Sequence, residues 1–128
     1  GISLCLTSGT DESRVRDECQ CLGITKLFDL GIYGAGENGT PCEKKDVWKK
    51  IATSHGWNGS QIIGFGDGGF DMKAIKSLNG YAVGVASDER TRKGVNEHKR
   101  KFIIAGGADL IVPDFSDPDR LWRFLSRG

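Results

Sequence analysis

The chain is 128 residues long, a length that favours one domain. Apolar residues make up 38% and charged residues 27%, a balance that describes a globular chain and excludes a disordered one. The net charge of +1 gives no field that implies nucleic acid, and no apolar run approaches the roughly 18 residues needed to span a bilayer.

In chain order, ISLCL (2–6) is a short apolar run that ends in TSGT, the pattern of a buried strand. Thr10 or Asp11 is placed to cap a helix through ESRVRDECQCLG, which Gly23 stops. LFDLGIYG (27–34) holds a second strand, followed by the loop GAGENG. EKKDVWKKIATSHG (43–56) places Val47, Trp48 and Ile51 at helical spacing, with Gly56 at its end. QIIGF (61–65) is a third strand and DMKAIKSLNG a third helix. YAVGVA (81–86) is a fourth strand, and the second half of 89–106 is helical. ADLIV (108–112) is a fifth strand. DPDRLWRFLS (117–126) is a terminal helix with Pro118 near its start. Short continuous apolar strands alternating with helices predict an α/β fold with a parallel sheet covered on both faces. Ligands of such folds bind outside the carboxyl ends of the strands, so the informative residues stand just after each strand.

After the first strand stand Thr7, Ser8, Gly9 and Thr10. Hydroxyls and free N–H groups before a helix suit phosphate oxygens, and an N-cap with a turn glycine uses the same residues. After the second strand, GAGENG (34–39) fits G-x-G-x-x-G, and Lys44 and Lys45 follow at a helix start. Cations there oppose the helix dipole, at a cost of a few tenths of a kcal/mol. After the third strand, GFGDGGFD (64–71) fits the same glycine spacing but carries Asp67 and Asp71. Two carboxylates on a glycine-rich turn can converge on a hard cation such as Mg²⁺. Either can instead cap the helix that begins near Met72, and Asp71 is the better placed for that.

Asp88, about twenty residues beyond the glycines, matches the acid that holds a ribose in dinucleotide sites. Against that use, Asp67 would stand unneutralised where a pyrophosphate must approach. RTRKGVNEHKRK (90–101), with His98, lacks interleaved aromatics and reads as a solvated helix face rather than a nucleic-acid surface. His55, before a helix-ending glycine, reads as a cap on carbonyls. Nineteen glycines, about twice the average share, cluster after the apolar runs where such folds turn. Cys5, Cys19, Cys21 and Cys42 show neither zinc-finger spacing nor the density of a disulfide scaffold. Reduced structural thiols in a cytoplasmic protein are therefore expected. The opening GISLCL lacks the basic region and cleavage site of a secretory leader.

The order of hydroxyl, lysine and paired aspartates resembles the haloacid dehalogenase (HAD) superfamily of phosphatases. ISLCLTSGT resembles the family's second motif, EKKDVWKKIA its lysine motif and GFGDGGFD its acidic motif. YAVGVASDERTRKG, AGGADLIVPDFSD and LWRFL resemble the end of the family's core. The likeness covers nearly the whole chain. It implies a three-layer, Rossmann-like parallel sheet, with residues 1–128 forming a single partial core domain. It implies that Ser8, or Thr7 beside it, and Gly9 hold a phosphoryl group. It implies that Lys44, with Lys45 as the fallback, neutralises that group. Asp67 would bind Mg²⁺, and Asp71 would bind it or orient its waters.

The family's D-x-D-x-T/V strand, whose first aspartate is the nucleophile, has no counterpart here. PDFSDPDR is the nearest approach, and it follows the last strand. The expectation is therefore the C-terminal portion of a HAD-type, Mg²⁺-dependent phosphomonoester hydrolase, inactive alone, acting on a small phosphorylated metabolite. Neither the nucleophile strand nor the family's usual cap insertion is present. In the family that strand lies between those matching ISLCL and QIIGF. Its loss leaves two inward edges, to be closed by a partner segment, by dimerisation or by direct pairing. The alternatives are a dinucleotide- or phosphate-binding module and a non-catalytic remnant.

Overall fold

The computed structural model describes residues 1–36 and 38–127. The GAGENG loop contains Glu37, which lies outside the described residues. The chain divides into two compact units, Gly1–Gly56 and Trp57–Gly128.

The first unit contains strand β1 (Leu6–Asp11), helix α1 (Glu12–Cys21), strand β2 (Ile32–Ala35) and helix α2 (Lys44–His55). β1 and β2 pair in parallel, starting with Leu6 opposite Ile32. The expected strand at 2–6 is thus displaced. Only its end is regular, because the position of Ile32 sets where the ladder starts. Leu4 makes two bonds ahead of it, its carbonyl accepting the Leu30 N–H at 3.0 Å and its N–H donating to the Asp29 carboxylate at 2.6 Å. The second strand likewise begins later than the expected 27–34, since Thr25–Leu27 form a 3₁₀ turn.

α1 buries Val15 and Cys19, four residues apart on one face, against Ile32, with Leu6, Ile24 and Phe28 packed around them. Gly23 follows the helix at φ +69°, a left-handed conformation suited to glycine, and ends it as expected. Asp11 stands at the N-cap position but makes no capping bond with its side chain. α2 ends at Gly56, also left-handed, and the His55 Nδ1 lies 3.0 Å from the Ile51 carbonyl, in the carbonyl-capping role expected for it.

The second unit contains strand β3 (Ile63–Gly66), helix α3 (Gly69–Ser77), strand β4 (Tyr81–Val85), helix α4 (Glu97–Ala105), strand β5 (Leu110–Val112) and helix α5 (Pro118–Leu125). Its sheet is parallel, in the order β3-β4-β5. β3 starts two residues later than expected, because Gly59–Gln61 form a 3₁₀ turn closed by a capping box between Asn58 and Gln61.

Met72, Ile75, Val83 and Ile103 are fully buried here, each contributing about 1.5–3 kcal/mol. Two strand glycines let helices approach closely. A β-carbon at Gly64 would overlap Ile75 of α3, and one at Gly84 would overlap Ile103 of α4. α5 starts with Pro118 in its first turn, and the Asp117 carboxylate accepts the Arg120 N–H at 3.0 Å.

The α/β class and the parallel order are those expected, but the strands form two sheets. No ladder joins β1 to β3 among the described residues. The four cysteines are unbonded. No helix among the described residues is long and apolar enough to cross a membrane.

Candidate active site

In the first unit, Thr7, Ser8 and Gly9 lie within β1 rather than after it. They nonetheless leave the regular ladder. Thr7 pairs with Tyr33 and Asp11 with Ala35, so four steps on β1 match two on β2. The surplus residues, Ser8 to Thr10, form a bulge, a common way to re-aim side chains near a site. The Ser8 hydroxyl accepts the Thr10 N–H at 3.1 Å, closing a local turn. A β-carbon at Gly9 would meet nothing within 4 Å, so packing does not demand glycine there.

Lys44 is the first residue of α2. Cys42 connects it to the bulge. Burial pushes the Cys42 thiol up, while the Lys44 ammonium and the Ser8 backbone N–H pull it down. Ser8 and Lys44 therefore act on one thiol and share a neighbourhood. Cys5 is also close to Cys42. Burial, reinforced by Cys42, pushes the Cys5 thiol from 9.0 to about 11, leaving it protonated and unreactive at neutral pH. Sequence spacing gave no sign of this thiol pair.

A cleft of about 370 Å³ lies beside the bulge, lined by Glu12, Ser13, Arg16, Gly34, Ala35 and Gly36. The Gly34 N–H donates to the Glu12 carboxylate at 3.2 Å, and Arg16 pairs with Glu12 at 2.9 Å. These two contacts, the Gly34 bond foremost, hold the Glu12 carboxyl below its ordinary value.

In the second unit, Asp67 follows β3 directly and Asp71 is the third residue of α3. The helix begins at Gly69, ahead of Met72, and its N-cap is Gly68, so neither aspartate is the cap. Asp71 instead sits in the first turn, where the dipole favours a carboxylate. Gly66 makes room for it. A β-carbon at Gly66 would overlap the Asp71 side chain, with the Oδ2 oxygen only 2.8 Å away. That missing methyl lets the Asp71 carboxylate lie over the end of β3, toward the turn that carries Asp67. Two hard oxygen donors of this kind suit Mg²⁺, which is usually held by one or two carboxylates plus waters and phosphate oxygens. Among the described residues no group of three or more His, Cys, Asp or Glu side chains forms a metal cluster.

The dinucleotide reading loses its main supports. Gly64 and Gly66 lie in β3 and serve packing, not a phosphate loop. The Asp88 carboxylate is committed to its own turn, accepting the Arg90 and Thr91 N–H groups at 3.0 Å each. Those contacts, Thr91 first, hold its carboxyl below the ordinary value.

Lys99 differs from its expected place on a solvated face. Its ammonium lies 2.8 Å from Glu89, 3.5 Å from the Ser87 hydroxyl and 3.9 Å from Asp67 Oδ2. The Glu89 hydrogen bond raises the Lys99 amine above its ordinary value, and Lys99 in turn lowers the Glu89 carboxyl. A run with six lysines and arginines in twelve positions could not single out which one turns inward.

The architecture matches solved structures closely. A predicted phosphatase from Clostridium acetobutylicum superposes with a TM-score of 0.72 at 20% identity, over 100% of this chain and 54% of that one. The chain has a haloacid dehalogenase-like fold. A haloacid dehalogenase-like hydrolase from Streptococcus pneumoniae gives a TM-score of 0.67 at 23% identity, over 95% of this chain and 51% of that one. A β-phosphoglucomutase from Clostridium difficile gives 0.63 at 21% identity, over 98% and 50%. The chain thus spans about half the length of the HAD-like structures it matches. No protein-family model and no curated protein sequence matches it. The HAD-like fold serves a phosphatase and a mutase alike, so the fold leaves the reaction to be argued from the site.

Proposed function

We propose that these residues form the phosphate- and metal-handling portion of a HAD-type, Mg²⁺-dependent phosphomonoester hydrolase, one partial core domain over residues 1–128. The observation that carries this reading is the turn after β3. Asp67 follows the parallel strand β3 directly, and the Asp71 carboxylate lies over the carboxyl end of that strand, in space that Gly66 leaves clear.

Asp67 would hold the ion, and Asp71 would hold it or orient its waters. Bound there, Mg²⁺ supplies charge neutralisation to the phosphate oxygens. Ser8, with Thr7 as the alternative, would donate a hydroxyl hydrogen bond to the transferring phosphoryl group, and the bulge backbone at Gly9 would add N–H donors. Lys44 would offset the remaining negative charge. Phosphoryl transfer depends on such positioning and neutralisation more than on covalent work by the protein.

The nucleophilic aspartate is the missing part. Without it no aspartyl-phosphate forms, so these residues alone should turn over little or no substrate. A segment bearing that strand, from the same polypeptide or from a partner, would also cover the inward edges of β1 and β3. The substrate class in this reading is a small phosphorylated metabolite, and the unbonded cysteines suit a cytoplasmic setting.

Calorimetric titration separates this reading from nucleotide binding. The wild-type chain should bind Mg²⁺, Asp67→Asn should weaken that binding at least about tenfold by removing a charged ligand, and NAD should not bind. Tight NAD binding that ignores Mg²⁺, or Mg²⁺ binding indifferent to Asp67→Asn, would overturn it.

A further inference from the structure

We propose that Lys99 is a built-in counter-cation of the acidic turn, which competes with Mg²⁺ for Asp67 and so sets how weakly the ion is held. This rests on the phosphatase reading above and adds a tuning residue to the same site.

The ammonium is held in place from several sides. Asn96 caps α4 by accepting the Lys99 N–H at 2.9 Å, which fixes the turn that carries the lysine. Glu89 grips the ammonium at 2.8 Å, and the Ser87 hydroxyl adds a contact at 3.5 Å. The loop that bears Glu89 is closed at its base by the Ser87–Val95 bridge and by the Asn96 N–H donating to the Ala86 carbonyl at 2.8 Å. The Lys99 side chain is only 25% exposed, against 68% for Asp67, so the lysine is the enclosed member of the pair and the aspartate the accessible one.

Held 3.9 Å from Oδ2, the ammonium partly neutralises Asp67 when no metal is bound. An ion arriving at Asp67 then meets a fixed positive charge a few ångströms away. At such a separation two like charges repel by about one unit of tenfold discrimination or less in a water-exposed site. Glu89 offsets part of that repulsion. The net effect is a weaker, more readily exchanged Mg²⁺, not a blocked site.

The test is calorimetric titration of the full chain with Mg²⁺ at low ionic strength. Lys99→Met should bind Mg²⁺ roughly three- to tenfold more tightly than wild type, while Lys99→Arg, which keeps the charge, should stay within about twofold. A lysine with only a packing role would leave affinity unchanged or lower it on removal. Should Lys99→Met misfold by circular dichroism, Lys99→Gln carries the same expectation. Mg²⁺ binding that needs Asp67 but is unchanged or weaker in the folded, charge-removed variant would overturn the role of Lys99 alone. An absence of Mg²⁺ binding in wild type would overturn the phosphatase reading and this inference with it.

Discussion

Gly84→Val is expected to destabilise the fold by about 3 kcal/mol or more, and Gly84→Ala by about 1–3 kcal/mol. Gly84 lies inside β4, between the fully buried Val83 and the half-buried Val85. Its missing side chain is what allows α4 to sit on the sheet. A methyl there would overlap Ile103 Cγ2, with Ile103 Cβ at 3.3 Å and Cδ1 at 3.4 Å. Ile103 is wholly buried, so it has no open direction in which to yield. Gly9→Ala is the contrast, since a methyl at Gly9 meets nothing within 4 Å and should change stability by less than about 0.5 kcal/mol. Urea denaturation of the three variants measures both effects. Equal stability for Gly84→Ala and wild type would contradict this packing of α4 on β4.

Asp109→Ala is expected to cost about 2–3 kcal/mol. The Asp109 carboxylate accepts the N–H of Ala82, a fully buried residue, at 2.7 Å. It also binds the Lys76 ammonium at 2.8 Å, tying α3 to the start of β5. Leaving the Ala82 N–H without a partner accounts for about 1–3 kcal/mol, and the partly exposed ion pair for less than about 1 kcal/mol.

The same carboxylate gives this effect a pH dependence. Burial pushes its pKa up, but the Ala82 N–H and the Lys76 ammonium together bring it below the ordinary 3.8. A carboxyl with a lowered folded value stabilises the fold fully above 3.8 and loses that contribution as pH falls through the folded value. The stability gap between wild type and Asp109→Ala should therefore hold at neutral pH and narrow below about pH 4. A gap that widens in acid would contradict this assignment.

How far the sequence alone revealed the fold depended on whether the deciding signal was local. α2 and its end at Gly56, the His55 contact with a helix carbonyl and the Pro118 start of α5 all follow from propensity and capping within a few residues. β1 did not, because ISLCL is the apolar run but the ladder is set by Ile32, some thirty residues on. The bulge at Ser8 to Thr10 depends on the same pairing. The two aspartates were legible as a pair on a turn, yet the cap reading of Asp71 failed because the helix starts at Gly69, and glycine leaves no side-chain mark of a helix start. The inward turn of Lys99 was invisible, since its contacts are with Glu89 and Ser87 in the loop before α4 and its backbone is set by the Asn96 cap. Ser8 and Lys44 were paired only through the resemblance, and the structure adds that both act on the Cys42 thiol.

The central claim is that these residues are the metal- and phosphate-handling portion of a phosphatase whose nucleophile lies on another strand. The most direct measurement is hydrolysis of a panel of simple phosphomonoesters by the chain joined to an upstream segment bearing a D-x-D-x-T strand. The account predicts Mg²⁺-dependent turnover that the 128 residues alone lack, and a fall of about 100-fold or more on Asp67→Asn or Lys44→Met. No gain with any phosphate ester, or turnover that survives both substitutions, would contradict it.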